Sequence, residues 1–208
     1  MKKLHYLLLA LMLTQVNFAQ EQEPETQSNK GKFNVHLGAG FATLEMEDAL
    51  KYNANLFQSS ILYTFPLTNN IGLETGISAH QLTGDFSMGG DNYFVSNSFL
   101  SVPVTLKIEA GSTFRYYTGL SLKPQYMVTS DFEVFGTADD AVRDAFEDNK
   151  GGSLLTGVVL GGQFGVSPSA SVDIGLSLYG DLFQFGYNDN SKLKTNQLVA
   201  FHIGLSLF

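Results

Sequence analysis

The chain has 208 residues, enough for one domain with a sizeable core, and pairs 44% hydrophobic residues with only 15% charged ones. Its 21 glycines, 17 phenylalanines and 9 tyrosines favour β structure with tight turns, and the lack of any cysteine excludes a disulfide framework, a thiol nucleophile and a cysteine-based metal site. A formal net charge of −8 argues against nucleic acid as a partner.

The N-terminus reads as an export signal over residues 1–19. Lys2 and Lys3 form a basic start, Leu4 to Leu13 an apolar run, and Asn17-Phe18-Ala19-Gln20 a cleavage site after Ala19. The apolar run is shorter than the roughly 20 residues a membrane-spanning helix needs. No cysteine follows the cleavage site, so no lipid anchor is expected there. Removal of Lys2 and Lys3 takes the 12 basic residues to 10 against 20 acidic ones, a net charge of −10. Residues 20–32, polar and without apolar periodicity, read as a disordered periplasmic lead-in.

Residues 33–208 carry about eight segments of alternating polarity, near positions 33–44, 55–65, 71–82, 95–108, 114–127, 153–166, 170–181 and 195–208. In the second, Phe57, Ile61, Tyr63 and Phe65 share a face; in the third, Ile71, Leu73, Ile77 and Ala79. Leu100, Val102, Val104, Leu106 and Ile108 follow in the fourth. In the seventh, Val172, Ile174, Leu176 and Leu178 alternate with Asp173, Gly175, Ser177 and Tyr179. A period of two marks strands. The sixth is apolar on both faces and rich in glycine, with Gly152, Gly157, Gly161, Gly162 and Gly165, which points to bulges or close interior packing. No helical span is expected after residue 19, so a place in a membrane requires a closed barrel, because lipid cannot satisfy an open sheet edge.

The strand charges Glu74, Lys107, Arg115, Lys123 and Asp173 all fall on the series opposite the apolar one. That is the demand of a membrane barrel, where a basic residue on the lipid face near the midplane costs roughly 2 to 4 kcal/mol. Connections alternate between short ones (66–70, 109–113, 167–169) and long ones (45–54, 83–94, 128–152, 182–194), which puts the short set on the periplasmic side. The fold expected is therefore an all-β, eight-stranded antiparallel up-and-down transmembrane barrel. Phe33, Tyr63, Phe65, Phe99, Phe114, Tyr116 and Tyr126 suit interfacial girdles. Residues 138–148 (ADDAVRDAFED) suggest a short acidic helix in the third long loop, with Ala141, Val142, Ala145 and Phe146 on one side.

The stretch Leu100 to Tyr126 resembles the core of the PorT-like outer-membrane β-barrel family. The resemblance rests on Val102-Pro103-Val104-Thr105-Leu106-Lys107, then a tight turn, then an aromatic-rich strand leading to Gly119. It extends more weakly over Phe33 to Phe208, with Tyr179-Gly180-Asp181-Leu182 similar to the family's penultimate strand end. Ser101 stands where members often carry an acidic residue. Phe208 ends the chain as outer-membrane barrels usually do, but Ser206, Gly204 and His202 hold the positions where such barrels carry apolar residues. The apolar series is Leu207, Leu205, Ile203, Phe201 and Val199, which leaves Phe208 either pointing inward or following a bulge. The resemblance implies assistance to a type IX secretion apparatus.

An eight-stranded barrel is narrow enough to be filled by its own side chains, which argues against an open pore. Glu74, Lys107, Arg115, Lys123 and Asp173 then read as a neutralising network inside it, since an unpaired buried charge is costly. The mature histidines His36, His80 and His202 share the inward series. None of them has a serine two places after it in the arrangement of a lipid A deacylase, and no glycine-flanked serine motif is present. They read as interior residues, with His80, nearest the outer rim, the residual catalytic candidate. The loop acids Asp131, Glu133, Asp139, Asp140, Asp144, Glu147 and Asp148 lack calcium-loop spacing and read as a solvated surface, bridged to lipopolysaccharide by divalent cations at most. A soluble lipocalin-like barrel predicts the reverse pattern of apolar inside and charged outside. The reading is a non-enzymatic envelope protein without cofactor or metal. Its expected partners are outer-membrane lipids, lipopolysaccharide, the barrel-assembly machinery during biogenesis and other envelope proteins. A lipid-A-modifying enzyme and a small-molecule binder at the outer rim are the alternatives.

Overall fold

A computed structural model describes residues 31–46, 50–88, 90–111, 114–135, 150–187 and 192–208. Among these, nine antiparallel strands form: β1 (Lys32–Met46), β2 (Leu50–Pro66), β3 (Ile71–Met88), β4 (Asp91–Ser101), β5 (Val104–Ala110), β6 (Phe114–Phe135), β7 (Gly152–Ser167), β8 (Ala170–Phe185) and β9 (Leu193–Leu207). The expected fourth strand, 95–108, is in fact two: β4 and β5 are halves of one stave, both lying between β3 and β6. The break falls at Val102 and Pro103. Proline has no N–H for the ladder, and the Val102 N–H crosses instead to the Pro124 carbonyl at 3.0 Å. The architecture is thus an eight-stave up-and-down sheet.

The pairings close on themselves. From Phe41, successive partners are Val199, Leu178, Val158, Leu120, Leu106, Leu73 and Phe65, whose place opposite β1 is that of Gly31, ten residues below the start. A stagger of this size around eight staves tilts them by about 40°. All eight residues on this path are apolar and lie on the outward series, although Val199 is itself buried.

Along β1, β2, β3, β4 and β6 the polarity of the two faces inverts. The lower half of β2 exposes Phe57, Ile61, Tyr63 and Phe65 and turns Gln58 and Thr64 inward; its upper half buries Tyr52, Ala54 and Leu56 and exposes Lys51, Asn53 and Asn55. On β3 the inward Glu74, Ser78 and His80 give way to Leu82 and Phe86, while Ile77 and Ala79 outside give way to Gln81, Asp85 and Ser87. The stagger lowers each successive partner by a little over one residue. With that allowed for, the changeovers at Phe41/Ala42, Leu56/Phe57, His80/Gln81, Phe99/Leu100 and Tyr126/Met127 lie at one height. Below this level the outer face is an apolar band about 20 Å tall, from Phe33 to Phe41 on β1. Above it the apolar residues of these strands turn inward, into a core in which the Phe86 ring lies 5.3 Å from that of Tyr52 and 5.1 Å from that of Tyr93. Tyr93 in turn lies 5.3 Å from Phe132.

This inversion explains why the strands outrun their expected limits at the upper end. The expected loops 45–54 and 83–94 are mostly strand, as are the first residues of 128–152 and 182–194. Phe99, expected in an interfacial girdle, faces inward and is buried. Lys32, expected in the lead-in, opens β1, and Glu109, expected in a turn, lies in β5. The lower turns are tight. In the one after β2, the Leu67 and Thr68 amides donate to the Ile71 carbonyl at 2.8 and 3.0 Å, and the Thr68 hydroxyl accepts from the Ile71 amide at 3.0 Å. Gly111, with φ of +105°, takes the left-handed conformation that the turn into β6 requires.

At the C-terminus, β9 holds its register through Leu207 with no slip at this end. Phe208 therefore continues the inward series of His202, Gly204 and Ser206, which decides between its two expected placements. Its amide donates to the Ser169 carbonyl at 3.0 Å, and its ring lies 5.5 Å from Lys32 Nζ. The expected export signal 1–19, most of the lead-in 20–32 and the acidic segment 138–148 lie outside the described residues.

Candidate functional site in the barrel lumen

All five expected lumen charges, and all three histidines, lie on the inward face. They are joined by polar residues that the sequence reading passed over. At the lower mouth Lys32 pairs with Glu109 and donates to Gln163 Oε1 at 3.3 Å; Arg115 lies 3.8 Å from the same Glu109 carboxylate. Neither Lys32 nor Glu109 was expected there, because the chain-end and turn positions assigned to them hid their period-two register.

Above the mouth sit two carboxylates, each saturated with donors. Glu74 Oε2 accepts from Lys107 Nζ at 2.7 Å, Asn34 Nδ2 at 2.8 Å and Thr64 Oγ1 at 3.1 Å. Asp173 Oδ1 accepts from the Tyr117 hydroxyl at 2.8 Å and lies 3.2 Å from His202 Nε2, while Oδ2 accepts from Gln163 Nε2 at 3.0 Å. His36 stacks on His202 with ring centroids 4.9 Å apart and brings Nε2 to 3.7 Å from Asp173. Lys107 also lies over the Tyr117 ring at 4.3 Å, so Tyr117 joins the two carboxylate centres. The interior charges come from β1, β3, β5, β6 and β8, and each strand contributes because its lower half points polar residues inward.

Two glycines make the room. A Cβ on Gly204 would lie 2.0 Å from the His36 ring, and one on Gly175 would lie 2.5 Å from both His202 Nε2 and the Tyr117 oxygen. Their place in the inward period was legible in the sequence, but not what would lie against them.

Higher in the lumen, Lys123 is buried and pairs with no carboxylate among the described residues; its ammonium lies 5.3 Å from the face of Tyr179. Thr105 donates to Ser121 at 2.8 Å and Tyr179 donates to the same Ser121 at 3.2 Å. His80 stacks on Phe99 at 5.0 Å with neither ring nitrogen hydrogen-bonded, and so faces the lumen rather than the lipid edge of the wall. The cavity among Glu74, Lys107, Lys123, His36, Tyr117 and His202 measures about 50 Å³, room for a few water molecules. Above it stands the aromatic core of Tyr52, Phe86, Tyr93 and Phe132. Among the described residues no group of three or more histidines and carboxylates is placed to hold a metal ion. The arrangement holds charge in place and blocks the lumen.

No protein-family model and no curated protein matches the sequence. Solved structures match in fold. Neisserial surface protein A aligns with a TM-score of 0.51 at 14% identity, covering 86% of this chain and 99% of that one. The outer membrane protein OprG from Pseudomonas aeruginosa aligns with a TM-score of 0.52 at 16% identity, covering 86% and 96%. At these identities the likeness establishes the small-barrel fold alone.

Proposed function

We propose that this chain is an outer-membrane β-barrel of a Gram-negative envelope with a structural or accessory role and no catalytic activity. The observation that carries this reading is the inversion of polarity at one height on β1, β2, β3, β4 and β6. A water-soluble barrel has no reason to expose Phe57, Ile61, Leu120, Ile174, Phe201 and Ile203 in a continuous band around its lower half. The blocked lumen supports a role other than transport. Its cavity of about 50 Å³ is far below the roughly 300 to 1,000 Å³ of small-molecule sites. The inward placement of His36, His80 and His202 supports a non-enzymatic role, since a lipid-modifying group has to reach the outer face. The PorT-like resemblance of Leu100 to Tyr126 adds the finer reading, an accessory that assists a protein-secretion apparatus.

The test is extraction from isolated outer membranes in mild detergent, with native mass measured and unheated and heated samples compared by gel. Recovery in that fraction, a mobility change on heating and a particle much larger than one barrel are expected for an accessory in an assembly. A lone barrel would remove the assembly role and leave the structural one. Absence from the outer membrane, or no change on heating, would overturn the reading as a whole.

A further inference from the structure

One side of the barrel departs from the common changeover level. On β8 the outer face stays apolar above it, with Leu182 60%, Phe183 54% and Phe185 45% exposed, and on β6 Val128, just above the Tyr126/Met127 changeover, is 48% exposed. At the height of Phe185 the other staves carry Glu45 on β1, Asn53 on β2, Thr83 on β3 and Lys194 on β9. The departure has a local cause. The pairing of β7 with β8 slips between Leu154 and Leu155, leaving Leu182 without a partner, so that Leu182 and Phe183 both turn outward. Between β6 and β8, Gly152 pairs with Tyr126 on one side and Phe185 on the other. A Cβ there would lie 2.5 Å from the Phe185 ring, so the ring rests on the β7 backbone and the shelf runs unbroken across three strands.

The shelf bears no charge and continues downward into Leu122, Leu176 and Leu178 of the lower band. Three strands wide and about 9 Å tall, it is several-fold smaller than the roughly 800 Å² per partner of a stable protein interface. Both its continuity with the apolar band and its size point to lipid. We propose that this shelf is a lipid-contact face, covered by outer-leaflet acyl chains, so that hydrocarbon reaches about 9 Å farther out on the β6–β8 side than on the β1–β3 side. The inference rests on the membrane-barrel reading. It gives that barrel a preferred side, on which neighbouring lipids meet a taller apolar wall.

The chain contains no tryptophan, so each introduced one reports alone. Phe185→Trp, Phe183→Trp, Leu176→Trp and Asn53→Trp are compared in the full chain, reconstituted in phosphatidylcholine vesicles brominated along the acyl chains. Leu176 lies mid-wall, and Asn53 lies at the height of Phe185 on the far side. Tryptophan at 185 and 183 is expected to be quenched as strongly as at 176, and Asn53→Trp about threefold less or weaker still. Quenching at 185 and 183 no stronger than at 53, with 176 quenched, overturns the proposal while leaving the membrane barrel intact. Disulfide-linked dimers of Phe185→Cys would then assign the shelf to a second copy. If Leu176→Trp is also unquenched, the membrane-barrel reading fails and the proposal with it.

Discussion

The hydroxyl of Tyr117 on β6 donates to Oδ1 of Asp173 on β8 at 2.8 Å, and its oxygen also lies 2.9 Å from His202 Nε2. Because Lys107 lies over the ring of the same tyrosine, one side chain spans the Glu74 and Asp173 centres. The two carboxylate centres thus form one connected network, and its members differ in what their loss leaves behind.

Tyr117→Phe removes one donor from a carboxylate that keeps Gln163 and His202, and is expected to cost about 1 to 3 kcal/mol. Asp173→Ala strips the centre of its only carboxylate and leaves several donors unpaired, for about 3 to 5 kcal/mol. Urea unfolding of the vesicle-inserted protein, followed by tyrosine fluorescence or gel mobility, ranks the two. The opposite order would show that Asp173 is not the hub.

For the pair Glu74 and Lys107, either single change, Glu74→Leu or Lys107→Met, abandons a buried charge and is expected to cost about 3 to 5 kcal/mol. The double variant removes both charges and should recover much of that loss. A double-mutant cycle on unfolding free energies reads the coupling, and additive losses would show that the two side chains do not depend on each other.

Gly204→Leu forces a side chain into the space of the His36 ring, against backbone that the β1 and β8 pairings hold in place. The expected outcome is failure to reach the heat-modifiable form in outer-membrane fractions. Gly204→Leu combined with His36→Gly should recover it in part. Normal assembly of the single variant would mean that the His36 ring has somewhere else to go.

The changeover level can be located by arginine substitution on β2. Ile61→Arg falls in the apolar band and is expected to cost about 2 to 4 kcal/mol, whereas Asn53→Arg, above the level, should cost about 0 to 1 kcal/mol. Equal costs, measured by urea unfolding in vesicles, would remove the case for two zones.

Period-two alternation and the one-sided placement of Glu74, Lys107, Arg115, Lys123 and Asp173 were enough to reveal the barrel and to name most of its interior charges. Strand ends were harder. Above Leu56 on β2 and His80 on β3 the alternation continues with its faces exchanged, so Lys51, Asn53, Asp85 and Ser87 read as loop when they are the wet side of a strand. Lys32 and Glu109 were passed over for a related reason: strand limits drawn one or two residues short removed them from the inward series.

Alternation along the chain thus settles which series of each strand is apolar and which is polar, because that property is local and repeats every second residue. Which polar groups meet inside is not local. The contact of Tyr117 with Asp173 and His202, the stacking of His36 on Gly204, and the common height of the changeovers depend on a ten-residue stagger that exists only once β1 has closed against β9. Closure sets how far each strand slides past the next, and a slide of two residues would keep every side chain on its proper face while giving it a different partner.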